Sequence, residues 1–201
     1  MFGPGGGIWH IAGNLNLVNA IFSCNSAGSG GGIFSAGDFS LVNATFSGNH
    51  AKYGGAMCCG KMFHEDSAEK GICSVNSSEN EISSSNVTNC ILWANTADFG
   101  PQIYNTVAQE AMPKILTAGW DLQISHSLIQ GAFSPDWDER LGTNAGGNID
   151  AGPLFIRNPD SGGEYGNLRL HASSPARDKG TNTPFQAGGI AEGITRDLDG
   201  K

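Results

Sequence analysis

The sequence predicts an all-β solenoid, a right-handed parallel β-helix, and three observations lead to this prediction. Glycine supplies 30 of the 201 residues, which disfavours long helices. A nine-residue motif recurs along the chain with its apolar and asparagine positions in phase. Each copy joins a short alternating strand to a turn residue, a unit that can wind into stacked coils. The predicted protein is a stack of such coils followed by an irregular C-terminal segment.

The repeat is clearest in residues 17–25 (LVNAIFSCN) and 41–49 (LVNATFSGN), which are offset by 24 positions. A third copy at 87–95 (VTNCILWAN) follows after 46 positions, and a weaker fourth at 124–131 after another 37. A glycine-rich segment runs in step with the motif, for example at 30–33. Recurrence in phase indicates that equivalent positions stack from coil to coil.

One copy contains a bend. Leu15 and Leu17 alternate as in a half-buried strand, but the next large apolar residue, Phe22, comes five positions after Leu17. An odd spacing would place Phe22 on the opposite face of a straight strand. We therefore expect a bend at Asn19, since asparagine tolerates left-handed backbone angles in turns.

Stacking at the ~4.8 Å spacing of neighbouring strands aligns equivalent side chains along the axis. We expect an apolar stack inside the tube and an asparagine ladder at the bend, with His126 as a hydrogen-bonded polar substitute in the fourth copy. The apolar stack is Phe22, Phe46, Leu92 and Ile129, and the ladder is Asn19, Asn43 and Asn89.

The unequal spacings between copies of the motif predict two loop insertions and a division of the chain into two parts. Residues 1–135 are predicted to form the coils, with loop insertions near 61–84 and 105–119. Residues 136–201 are predicted to form a C-terminal segment that caps the coils or packs along them.

Charge and cysteine content restrict the function classes. Eleven basic residues against nineteen acidic ones give a net charge of −8, which argues against nucleic-acid binding. No apolar run approaches the ~20 residues of a membrane helix, so no membrane-spanning segment is expected. The five cysteines include no CxxC pair, so buried thiols are expected, with a bridge from Cys73 to Cys58 or Cys59 as the alternative.

The repeat resembles those of the polymorphic outer membrane proteins, which pair Gly-Gly-[Ile/Ala] with Phe-x-x-Asn. The matching segments are 31–33, 22–25 and 46–49, and the resemblance covers about residues 5–131. The segments 148–155, 166–180 and 196–200 are similar to the closing part of choice-of-anchor β-helix proteins. These resemblances imply a pectin-lyase-like fold, export, and an extracellular or cell-surface location associated with the outer membrane.

No catalytic residue is predicted. Neither a Gly-x-Ser-x-Gly elbow nor a His-Glu-x-x-His motif is present, and no Gly-Lys-[Ser/Thr] follows the glycine clusters. The densest carboxylate group lies at 136–140, where a Ca²⁺ site is the alternative to a solvated acidic loop. No other cofactor is expected.

Trp93 is the one candidate for ligand binding. It follows an inward-facing position and is therefore expected to point outward, where an indole can stack on a sugar ring. The leading interpretation is a non-catalytic scaffold for adhesion or surface display, which contacts carbohydrate or a host or neighbouring cell surface. The alternatives are a polysaccharide lyase or glycoside hydrolase with its active site outside this fragment, and a glycan-binding module.

Overall fold

The computed structural model describes residues 5–60, 83–105, 120–159 and 164–195, which form four coils of a parallel β-helix and part of a fifth. Coil 1 contains β1 (Ile8–His10), β2 (Asn14–Val18), β3 (Ile21–Ser23) and β4 (Ser26–Ser29). Coil 2 contains β5 (Ile33–Ser35), β6 (Asp38–Val42), β7 (Thr45–Ser47) and β8 (His50–Tyr53). Coil 3 contains β9 (Met57–Cys59), β10 (Ser83–Thr88), β11 (Ile91–Trp93) and β12 (Thr96–Phe99). Coil 4 contains β13 (Ile103–Asn105), β14 (Trp120–Ser125) and β15 (Leu128–Ile129).

Four sheets run along the axis because each strand hydrogen-bonds to its counterpart in the next coil. Sheet I is β1-β5-β9-β13, sheet II is β2-β6-β10-β14-β16, sheet III is β3-β7-β11-β15 and sheet IV is β4-β8-β12, where β16 is Thr143–Asn144. The pairings within these four sheets are parallel. The parallel β-helix predicted from the repeat is confirmed.

The interior of the tube is an axial stack of apolar side chains. Phe46 lies directly between Phe22 and Leu92 in the strand register, and Leu92 pairs with Ile129. The rings of Phe22 and Phe46 are parallel, with centroids 4.7 Å apart. Phe46, Leu92 and Ile129 are completely buried. The predicted stack is therefore confirmed rung by rung.

The predicted bend is also present. Asn19, Asn43 and Asn89 have φ values of 56°, 55° and 57°, and His126 has 48°. These left-handed residues join sheet II to sheet III, and they turn the next apolar side chain back into the tube. The asparagine at this position is explained by its tolerance of that conformation.

The glycine clusters allow close packing between coils. A Cβ added at Gly31 would lie only 2.7 Å from the carbonyl oxygen of His50, which belongs to the next coil. Real side chains do not approach backbone this closely, so this position requires glycine. The glycine-rich segments are therefore structural corners.

Residues 130–142 close the C-terminal end of the tube. Phe133 and Trp137 pack against the core, and Leu141 is buried within it. The Trp137 indole nitrogen donates a hydrogen bond to the Gly142 carbonyl over 2.7 Å. Beyond this cap the chain still pairs with the coils, through β16 and a bridge between Leu128 and Ile149.

The segment after the cap includes regular structure of its own. An antiparallel hairpin joins β17 (Phe155–Arg157) to β18 (Asn167–Leu170), and a single 3-10 turn follows at Thr183–Phe185. The insertion predicted near 61–84 lies outside the described residues except for its last two positions, and the one near 105–119 except for its first. No helix in the described part of the chain has the length and apolarity needed to cross a bilayer.

Candidate functional site

A ladder of asparagine and glutamine side chains, buried at Asn49, Asn95 and Gln102, links the coils at the corner between sheets III and IV. The Asn49 amide oxygen accepts hydrogen bonds from the backbone and side-chain nitrogens of Asn25, at 3.0 and 2.9 Å. The Asn95 oxygen accepts the same two bonds from Asn49. The chain of amides continues from Asn95 to Gln102 and from Gln102 to Gln130, at 2.8 and 3.3 Å. We call these five side chains the inner amide ladder.

The ladder predicted at the bend is only partly correct. Asn43 donates to Asn19 over 3.1 Å as expected. Asn89 does not continue this column, because its amide exchanges two 2.8 Å hydrogen bonds with the backbone of Thr181. The ring Nδ1 of His126 is buried and has no hydrogen-bond partner in the described part of the chain, so the hydrogen-bonded role predicted for His126 is wrong. Asn89, the third residue of this column, therefore anchors the C-terminal segment and does not bond to the next coil.

Beyond residue 150 the C-terminal segment lies across the outer face of sheet III, and side chains of coils 1 and 3 hydrogen-bond to it there. At coil 1, Ser23 Oγ donates to the Tyr165 carbonyl over 3.2 Å, and Cys24 Sγ to the Glu164 carbonyl over 3.6 Å. At coil 3, Asn89 holds Thr181 through the two bonds described above. The two attachments keep the segment at a fixed position over the sheet.

Two concave surfaces lie beside these attachments, and we call them together the tail cleft. The larger has a volume of about 870 Å³ over coils 1 and 2, and the smaller has about 190 Å³ over coils 3 and 4. Asn43 lines both cavities. The larger cavity lies within the size range of small-ligand sites in proteins. Its floor is Asn19, Ile21, Ser23, Asn25, Asn43 and Thr45, and its wall is Arg157 and residues 165–169.

The charged groups of the tail cleft are basic. Arg157 and Arg169 line the larger cavity, and Lys179 lines the smaller one with His126. The described lining residues include no Asp or Glu, although the chain has a net charge of −8. Arg157 has a loose ion pair with Glu164 at 3.7 Å, and both side chains are mostly exposed to solvent. The cleft is thus a basic site on an acidic protein.

Comparison with known proteins finds no matching family model, no matching curated protein and no matching solved structure. What the tail cleft can bind therefore has to be argued from its own side chains. These supply amide and hydroxyl hydrogen-bonding groups, an exposed aromatic ring at Tyr165, and guanidinium groups.

Trp93, the binding residue predicted from the sequence, lies on the outer face of sheet III. It pairs with Ser47 in the strand register, and its neighbour Leu92 faces inward, as expected. The indole is half-buried, and a Cβ added at Gly152 would lie 3.8 Å from it. Trp93 does not line the tail cleft. Its proposed sugar contact stays a prediction.

A second concave surface lies near the capped end and has a volume of about 490 Å³. Phe99 lines it with half of its surface exposed, and stacks on Tyr53 at a centroid distance of 5.3 Å. The carboxylate of Asp138 accepts two 2.8 Å hydrogen bonds from the guanidinium of Arg140, which lower its pKa. Among the described residues, no three His, Cys, Asp or Glu side chains lie close enough together to hold a metal ion.

The described cysteines are thiols. Cys59 and Cys90 are free and fully buried, and burial raises the pKa of each to about 12. Burial also raises the pKa of Cys58. Cys73, the proposed partner for a bridge, lies outside the described residues.

The two deeply buried thiols predict a loss of stability at alkaline pH. An unfolded thiol releases its proton near pH 8.5, whereas Cys59 and Cys90 keep theirs until about pH 12 in the folded chain. The protonated thiols therefore contribute fully to the stability of the folded chain below pH 8.5, and this contribution is lost as the pH rises toward 12. We expect the free energy of unfolding to fall by about 1.4 kcal/mol per pH unit for each thiol in that window.

Urea unfolding at several pH values between 7.5 and 10.5 measures this slope. The double variant C59A/C90A serves as the control, because it is less stable at neutral pH yet lacks the two titrating groups. The free energy of unfolding of this variant should fall less steeply with pH, by the amount that the two thiols contribute. Identical slopes for the two proteins would show that the thiols are not protected in the native state.

Proposed function

We propose that this chain belongs to an exported, surface-displayed protein in which the β-helix is a non-catalytic scaffold for adhesion. The proposal places it with repeat proteins of the polymorphic outer membrane and choice-of-anchor types, within the pectin-lyase-like superfamily. It assigns the contact with a carbohydrate or cell surface to the tail cleft. The observation that carries the proposal is the attachment of the C-terminal segment over sheet III, which leaves a basic cleft on a rigid support.

The rigidity of the support favours a binding role. The floor strands β3 and β7 pair in register, and Asn49 and Asn95 of the inner amide ladder are buried with their amides hydrogen-bonded. A site on regular strands presents its groups at fixed positions, so little conformational entropy is lost when a ligand binds. The floor of the tail cleft is preorganised in this sense.

The exposure of sheet III favours access to the tail cleft at coils 1 and 2. Along the outer row of this sheet, Ile21 in coil 1 is 53% exposed, while Leu128 in coil 4 is 2% exposed. The C-terminal segment thus covers this row of sheet III in coil 4 and leaves it open to solvent in coil 1. A large extracellular ligand would enter the cleft from the side of coils 1 and 2.

Beads that carry the whole chain, allowed to settle on cultured cell layers, test adhesion through this cleft. The variant Thr45→Tyr adds an aromatic ring to the cleft floor from an outward-facing position. We expect it to remove most of the bead retention. Asn86→Tyr is the matched control, since it adds the same ring to an exposed position on sheet II and should leave retention unchanged.

The same preparations test whether this chain itself acts on polysaccharides. Acidic and neutral polysaccharides are incubated with the chain, with and without Ca²⁺, and assayed for unsaturated products and new reducing ends. The proposal expects no product above the buffer rate. Product formation, or bead retention that survives Thr45→Tyr, would contradict it.

A further inference from the structure

We infer that the open end of the β-helix at coil 1 is a dimer interface, at which β2 pairs antiparallel with β2 of a second copy of this chain. This inference goes beyond the proposed function, because β2 does not line the tail cleft. Four observations support it: the unpaired edge of coil 1, the incomplete core at that end, the absence of charge there, and the cap at the opposite end.

The four strands of coil 1 are edge strands in the part of the chain that the structure describes. Each of β1, β2, β3 and β4 ends the strand order of its sheet. The longest of them is β2 (Asn14–Val18), which pairs with β6 on one side. An edge strand of this kind presents a row of unpaired backbone N–H and C=O groups.

The direction of these backbone groups in β2 follows from the repeat. The backbone nitrogen of Asn19 donates to the carbonyl oxygen of Val42, so the backbone of Val42 is directed toward coil 1. Val18 occupies the equivalent position in coil 1, and its backbone is therefore directed away from coil 2. Backbone groups alternate in direction along a strand, so those of Asn14 and Asn16 point the same way as those of Val18. Asn16 is the centre of this unpaired row.

A two-fold axis through Asn16 would bring two such rows together. The axis reverses the strand direction, so the pairing is antiparallel, with Asn16 opposite Asn16 of the second copy and Asn14 opposite Val18. At each of these positions the two residues can exchange N–H···O=C hydrogen bonds. The same axis places Leu15 of one copy opposite Leu17 of the other, and the apolar interior then continues across the interface.

The apolar interior is incomplete at the open end. Leu15 and Leu17 are half-buried, whereas their counterparts in coil 2, Phe39 and Leu41, are 3% and 0% exposed. Coil 1 lies on Phe39 and Leu41 at this side, while no described coil lies on Leu15 and Leu17. A second copy would remove this remaining apolar surface from water, which favours association.

The open end is also the part of the chain where two copies can meet without charge repulsion. The chain has a net charge of −8, yet residues 1–37 contain no Asp, Glu, Lys or Arg. Edge strands that stay unpaired in natural proteins commonly carry charged side chains, lysine above all, that prevent association. Coil 1 has no such side chain, and this favours a second copy of the same neutral end as the occupant.

The cap favours a closed dimer over an open chain of copies. Head-to-tail stacking would require the open end of one copy to pack on the interior of coil 4 in the next. Residues 130–142 occupy that place, with Phe133 and Trp137 against the core. Two open ends that face each other avoid this obstacle, and such an isologous contact is complete at two copies.

Sedimentation velocity of the whole chain between about 1 and 100 µM tests the dimer. We expect dimers to predominate at the higher concentrations, with no larger species. The variant Asn16→Lys places two lysines opposite each other at the two-fold axis, and it should weaken dimerisation about tenfold or more.

Asn86→Lys is the matched control, because Asn86 lies in the same row of sheet II two coils away from Asn16. The two new lysines would then be separated by more than a Debye length, so dimerisation should change by less than about twofold. Both positions are exposed, so neither substitution should alter folding, and thermal denaturation checks this.

Hydrogen exchange provides a second measurement. The segment 14–18 should gain protection as the concentration rises, in the unmodified chain and in Asn86→Lys but not in Asn16→Lys. The segment 38–42 pairs with a coil on each side already, and its protection should not depend on concentration.

Three outcomes would overturn the inference. A chain that stays monomeric over the whole range would leave the open end to a different partner. Assemblies larger than a dimer would show a head-to-tail or irregular contact. A dimer that is equally stable in Asn16→Lys and Asn86→Lys would place the interface outside β2.

Discussion

Replacing Asn49 with leucine should lower the free energy of unfolding by about 3–5 kcal/mol, because it removes the four hydrogen bonds of the buried Asn49 amide and leaves the backbone nitrogen of Asn25 without its acceptor. The Asn49 amide binds the backbone nitrogen of Asn25, the carbonyl oxygen of Phe22 and the side-chain oxygen of Asn95. Leucine has the same number of side-chain heavy atoms and the same branching, so the change mainly replaces the hydrogen-bonding atoms by methyl groups. For a chain of this length the melting temperature should fall by roughly 10 °C.

Asn86→Leu is the matched control, since it makes the same substitution at an exposed position on sheet II. Its effect should stay within about 0.5 kcal/mol. Chemical denaturation with two spectroscopic probes measures both variants and checks that unfolding is a single transition. Equal destabilisation by the two substitutions would mean that the inner amide ladder does not hold the coils together.

The second large effect is expected at the centre of the apolar stack. Phe46→Ala removes a fully buried ring that contacts Phe22 at a centroid distance of 4.7 Å and lies against Leu92 in the next coil. The free energy of unfolding should fall by about 3–5 kcal/mol, from lost apolar burial and from the cavity that remains. Phe46→Leu should recover more than half of this loss, because leucine already occupies the same rung in coil 3.

Phe99→Ala provides the comparison, because that ring stacks on Tyr53 from outside the tube and is 51% exposed. It should cost about 1 kcal/mol or less. Urea unfolding of the three variants measures the ranking. If Phe99→Ala proved as costly as Phe46→Ala, the axial stack would not be the main core of the fold.

The repeat alone was sufficient to predict the core. Phe22 and Phe46 occupy equivalent positions in copies offset by 24 residues, and stacking coils leaves one arrangement in which both are buried. The turn at Asn19 followed from the odd spacing between Leu17 and Phe22, and its φ of 56° agrees. Both predictions depend on short-range geometry, which a local pattern describes well.

The repeat did not show which of the two asparagine columns would be buried. Each complete copy carries one asparagine at the bend and another at its last position, and both recur in phase. The structure buries Asn49 and Asn95 of the second column, while Asn43 at the bend lines the tail cleft.

By itself, the sequence determined the coil repeat, the bend and the apolar stack, since these follow from the spacing of residues within and between neighbouring copies. Only the tertiary structure decided the cap at Trp137, the use of Asn89 as an anchor, and the tail cleft. Asn89 and Thr181 are 92 positions apart and share no repeat. Their pairing depends on how the C-terminal segment folds back over sheet III, and no local periodicity carries that information.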